Sequence, residues 1–140
     1  MKIESTTEAI ERLAIKQGAM LGNMSRADLL LMLALAARCV PRSTALTERE
    51  VNAVLKDWLA GTGAMLDVDH VELRRTLVDA GLWQRDGFGH AYERLTSITT
   101  ADVANAADAL GTLDAERFVA AARTRHAAER AARKARTITG

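Results

Sequence analysis

Arginine presents a planar fork of N–H donors that suits phosphate and carboxylate, and such forks gather along one stretch of this chain. Arg74 and Arg75 fall on a predicted helix, Arg85 and Arg94 on the two limbs of a predicted hairpin, and His90 near its turn. If the helix packs beside the hairpin, these groups share a face. The helix would then enter a major groove and the hairpin would touch phosphate. A structural use is equally open, in which Arg74 or Arg75 pairs with Asp79, Asp86 or Glu93 and locks hairpin to helix. Neighbouring helical residues point about 100° apart, so the two arginines cannot share one role.

A second basic set comprises Arg123, Arg125, Arg130, Arg133, Lys134 and Arg136. With Arg117 it gives residues 117–140 a charge of about +6, against about −5 for the preceding body, although the whole chain is +1. Three uses are open. The segment neutralises phosphates of a nucleic acid without sequence preference. Alternatively it is a solvated tail supported by a Glu129–Arg133 pair. Or it docks on an acidic protein partner or on the acidic body of a second copy.

Other chemistries find little in the sequence. His70, His90 and His126 lie far apart, and Asp67-x-Asp69-His70 lacks metal-site spacing, so no metal is expected. The single Cys39 excludes an internal disulfide, and its place after an apolar helix suggests a core thiol. Gly61-x-Gly63 lacks both the third glycine and the preceding strand of a phosphate loop. Nothing marks a nucleophile elbow. No catalytic residue, no cofactor and no enzymatic activity are expected. An apolar cavity between the second helix, Trp58, Met65 and Trp83 would make a small-ligand sensor, with core packing the competing use of those side chains.

The elements that must position these groups are legible from caps and periodicity. Ser5 and Glu8 form a capping box for a first helix with Ile10, Leu13 and Ala14 on its inner stripe, running on to Met20 or Leu21. Gly22-Asn23 is the expected break. Ser25 and Asp28 open a second helix whose 29–37 run is apolar on every side, which predicts a central position or a homodimer interface. Pro41 follows it. Thr47 and Glu50 cap a third helix, with Leu46 and Val51 as a hydrophobic staple and Val51, Val54, Leu55, Trp58 and Leu59 at helical spacing. Asp69 and Glu72 repeat the pattern before a stripe of Leu73, Leu77 and Ala80, ended by Gly81. Two short segments around Asp86-Gly87-Phe88-Gly89 predict a hairpin. Two alanine-rich helices close the chain, the last from Ala115 to about Arg136, capped by Asp114, with a projecting second half.

A chain of 140 residues buries about two-thirds of its extended surface, enough for one core. Hydrophobic content of 49% with charged content of 26% is that of a soluble globular domain. The N-terminus lacks a signal-peptide layout, and no apolar run reaches membrane-span length, so a cytoplasmic location and no membrane partner are expected.

The motifs T-E-R-E-V-N-A-V-L at 47–55, V-E-L-R-R-T-L-V-D-A-G-L at 71–82, R-D at 85–86 and Y-E-R at 92–94 resemble a known family. It is the prokaryotic domain of unknown function number two thousand and eighty-seven, and the resemblance covers about 46–95. In some relatives the module follows an ArsR-type winged-helix regulator, so the resemblance implies a link to transcription. It implies no catalytic residue. The expected fold is mainly α with one small β-hairpin, a winged helix–turn–helix-like centre with extra N- and C-terminal helices. The expected organisation is one domain, 1–140. It comprises an N-terminal helical pair (1–45), a helix–helix–hairpin module (46–95) and C-terminal helices with a basic tail (96–140). The function expected is a non-enzymatic regulatory or interaction module with weak nucleic-acid binding, or else a helical homodimer, joined through the N-terminal helices, or a partner-binding protein, neither of which binds DNA.

Overall fold

The run of apolar residues at 29–37 has no polar face to turn toward water, so the chain must wrap it on all sides. The computed structural model, which describes residues 3–88 and 91–139, shows this arrangement. Helix α2 (Arg26–Ala37) begins at Ser25, whose hydroxyl accepts from the Asp28 N–H, and every side chain from Leu30 to Ala37 is buried. Helix α1 (Thr6–Ala14) packs on it with Ile10, Leu13 and Ala14. The capping box at Ser5 and Glu8 closes in both directions.

The first helix ends earlier than its periodicity suggests. Gly18 adopts φ +69, a left-handed conformation that side chains resist, and the chain turns there rather than at Gly22-Asn23. Residues Leu21–Asn23 instead form one 3-10 turn, with Leu21 buried and Met20 exposed.

Helix α3 (Glu48–Ala60) starts at the reciprocal Thr47–Glu50 box and buries Val51, Leu55 and Trp58. Helix α4 (His70–Asp79) follows a long connection and is capped by the Asp69 carboxylate. In that connection Gly63 lies against the Trp58 ring so closely that a Cβ would sit 2.3 Å from a ring carbon. The same loop is tied back to the N-terminal segment. The Ala19 N–H donates to Met65 O at 2.9 Å, and the Asp67 N–H to Ala19 O at 2.8 Å.

Gly81, with φ +80, leads from α4 into strand β1 (Trp83–Arg85), antiparallel to β2 (Tyr92–Arg94) with Gln84 opposite Glu93. A two-stranded hairpin this short needs support. Leu46 supplies some by exchanging both backbone hydrogen bonds with Tyr92, at 3.0 and 2.8 Å, as a one-residue third strand on the far side of β2. The Trp83 indole supplies more by donating to Ala37 O at 3.1 Å. The order α2, Leu46, α3, α4, β1, β2 fits a winged helix.

Helix α5 (Ala101–Leu110) covers α2, and the long α6 (Ala115–Thr139) crosses α1. Thr100 precedes α5 without a side-chain cap bond. The Asp114 carbonyl accepts from the Arg117 and Phe118 N–H groups at the head of α6. One hydrophobic cluster runs from Ile10 to Ala122. Among the described residues no helix is long and apolar enough to cross a membrane.

Candidate functional site

Arg74 and Arg75 diverge as their helical spacing requires. Arg74 turns inward and is only 9% exposed. Its guanidinium pairs with Glu48 at 3.1 Å, donates to the Asn52 side-chain oxygen, and lies 5.6 Å from the Tyr92 ring centroid. The Tyr92 hydroxyl reaches the same Glu48 carboxylate at 3.4 Å. Arg74 thus joins α3, α4 and β2. Its partners are not the expected Asp79, Asp86 or Glu93. The Leu46–Tyr92 bridge brings the first turn of α3 over α4, which puts Glu48 and Asn52 closer.

Arg75 and Arg85 are exposed and line one pocket of about 290 Å³, with Asp79 on its wall and Glu48, Arg74 and Tyr92 at its base. Arg94 does not join them. It lies by a different cavity, together with Arg38 and Arg42. The position of His90 falls outside the described residues. The outer face of α4 therefore offers Arg75 among the exposed carboxylates Glu72 and Asp79, a face of mixed charge.

The basic C-terminal set divides as well. Arg123 donates to three backbone carbonyls: Ala14 at 3.1 Å, Gly61 at 2.8 Å and Thr62 at 2.9 Å. Ala14 ends α1, while Gly61 and Thr62 follow the last turn of α3, so the cation meets the negative end of each helix dipole; the Gly61 carbonyl also accepts from the Ala64 N–H at 3.1 Å. Burial pulls the pKa of Arg123 down, the expected effect of desolvating a cation. Arg125 pairs with Glu11 of α1. Beyond His126 every residue through Ile138 is exposed, including Arg130, Arg133, Lys134 and Arg136. The expected Glu129–Arg133 ion pair does not form. Sequence reasoning missed the anchoring role of Arg123, because backbone carbonyls carry no signature in a sequence.

The remaining chemistry-bearing residues are placed as follows. Burial pushes the Cys39 thiol up to about 12, far from the thiolate a nucleophile needs. Among the described residues no group of three or more His, Cys, Asp or Glu side chains is arranged to hold a metal ion. Trp58, Met65 and Trp83 are packed into the core beside α2.

The chain is thus a mainly helical protein with one small hairpin, in an order that fits a winged helix. It belongs to the family DUF2087, described as an uncharacterized protein conserved in bacteria, whose model matches residues 23–94. That match starts well ahead of residue 46 and takes in α2, the helix on which α3, α4 and the hairpin are assembled. No match to the chain was found among curated proteins or among solved structures.

Proposed function

We propose that the protein is a regulatory binding module without catalytic activity, linked to transcription, that holds nucleic acid weakly through the exposed end of α6. The observation that carries this reading is the exposure of Arg130, Arg133, Lys134 and Arg136 with Glu129 as the one acid among them. A helix edge of this kind contacts successive phosphates without reading bases. The winged-helix-like unit acts as the scaffold. Its α4 face, with Glu72 and Asp79 beside Arg75, lacks the positive potential to grip a duplex unaided.

Fluorescence anisotropy with a labelled duplex over a salt series tests this. Four phosphate contacts predict a log–log slope of about −3.5. Deleting 127–140 should abolish binding. A flat salt response, or binding that survives the deletion, would overturn the reading.

A second reading, homodimerisation through the N-terminal helices, is favoured by an open groove of about 500 Å³ between α1 and α5. It is floored by Leu30, Leu31 and alanines. Light scattering at high concentration, with Ala27→Glu at the exposed rim as the disrupting variant, separates the two. A charge at Leu31, on the groove floor, would instead disturb the chain's own core, because Leu31 is buried.

A further inference from the structure

The chain leaves α2 through R-C-V-P-R, residues 38–42, and this exit brings three cations to one place. Arg38 is the C-cap of α2. Pro41 prevents the helix from continuing. Ser43, the one described non-glycine residue with positive φ (58), turns the strand-bound chain back immediately after Arg42. The hairpin register then sets Arg94, opposite Trp83, beside them. Arg38, Arg42 and Arg94 together line a cavity of about 260 Å³ between α2, α5 and the hairpin.

The cluster is short of negative charge. Glu116 approaches Arg38 at 3.7 Å, and among the described residues Asp108 is the one carboxylate on the cavity wall. The carbonyl ends of α2 and α5 reach the same space and add partial negative charge, which helps the arginines coexist. That compensation is incomplete in two respects. The Arg38 Nη1 is buried with no hydrogen-bond partner, an unusual state for so strong a donor. Arg94 has its pKa pulled down by burial and then by the repulsion of Arg42 and Arg38. An anion among these cations would offset a repulsion that is already present in the free protein.

The chemistry of the wall narrows the anion. Three guanidinium forks from separate elements suit an acceptor with oxygens in several directions, and a tetrahedral oxyanion has them where a planar carboxylate does not. Thr96 and Thr112 add hydroxyl donors, while Leu82 and Ile98 offer apolar surface to whatever the anion is attached to. We propose that this cavity binds a phosphoryl group, as inorganic phosphate or as the end of a small phosphorylated molecule, through Arg38, Arg42 and Arg94. The site is separate from the exposed end of α6 and does not depend on nucleic-acid binding.

Thermal unfolding and titration calorimetry of the full chain with inorganic phosphate, at constant ionic strength against chloride, test the proposal; ribose 5-phosphate serves as the second probe. At least one probe should raise the unfolding temperature saturably, with one site per chain. A ribose 5-phosphate affinity at least ten-fold higher assigns the site to organic phosphates, and equal affinities assign it to phosphate itself. Arg94→Gln should unfold at a higher temperature than the native chain in chloride, since it relieves repulsion, yet bind at least ten-fold more weakly. Arg42→Gln, at an exposed position, should weaken binding without loss of folding. Deleting 127–140 should leave the response intact. No response to either probe, an Arg94→Gln variant that responds like the native chain, or a response lost with 127–140 would each overturn the assignment.

Discussion

Removing the Arg74 side chain would leave Glu48 facing a ring and an amide with no cation between them. Arg74→Met is therefore expected to cost about 1–3 kcal/mol, the penalty for breaking a partly buried charged hydrogen-bond set. Arg75→Gln, one residue on and exposed, should stay within about 0.5 kcal/mol. Urea unfolding of the two variants checks the contrast, and equal losses would contradict the inward placement of Arg74. The adjacency of the two arginines, with its demand for different roles, was legible in the sequence. Which one turned inward was not, since that depends on Leu46 meeting Tyr92 and carrying Glu48 with it. The grouping of Arg38, Arg42 and Arg94 was hidden for a similar reason. It needs the positive φ of Ser43 and the register of a hairpin, neither of which leaves a pattern of residue types.

At the level of elements, the caps and stripes were the most readable features. Ser5, Ser25, Thr47 and Asp69 each cap the helix their spacing predicts, because an N-cap bond spans only three residues. Among the described residues, reciprocal boxes close at α1 and α3 alone, where an acidic side chain turns back to the cap. The last helix was readable in length but not in attachment. Its anchor lies at Arg123, and the exposed turns beyond it make no large apolar contact, so α6 should divide energetically near residue 126. Arg123→Ala is expected to cost about 1–3 kcal/mol, since three backbone carbonyls, two of them in part-buried contacts, lose a charged donor together. Deleting 127–140 should cost less than about 1 kcal/mol. Thermal unfolding of both variants distinguishes an anchored helix from a uniformly loose one.

For the molecule as a whole, the Arg12–Asp28 and Arg26–Asp102 ion pairs staple the outer helices α1 and α5 to the central α2. Arg12, in the last turn of α1, bridges Glu4 ahead of that helix and Asp28 in the first turn of α2, both at 2.8 Å. Arg26 reaches Asp102 of α5 at 2.7 Å. Hydrogen bonds from these arginines hold Glu4, Asp28 and Asp102 below their ordinary values of 4.5, 3.8 and 3.8. A carboxylate depressed in the folded state stabilises fully above its unfolded pKa, and the contribution is lost as pH falls through the folded value. Stability should therefore be level from about pH 7 down to about pH 5 and fall below about pH 4.5. Urea midpoints across that range check this, and Asp28→Asn should flatten the acid limb. A midpoint that rises on acidification would contradict it.

The seat of Arg123 gives α6 a mechanical character. Its guanidinium sits on the closing carbonyls of α1 and α3, and from there the helix runs outward for about 24 Å to Thr139. That makes α6 a lever with its fulcrum in the core. A partner that grips the tip exerts torque on the ends of α1 and α3, and α3 carries at its other end the Glu48 that holds Arg74. A partner gripping the arm would thus load the same helix, α3, whose first turn holds Arg74 through Glu48.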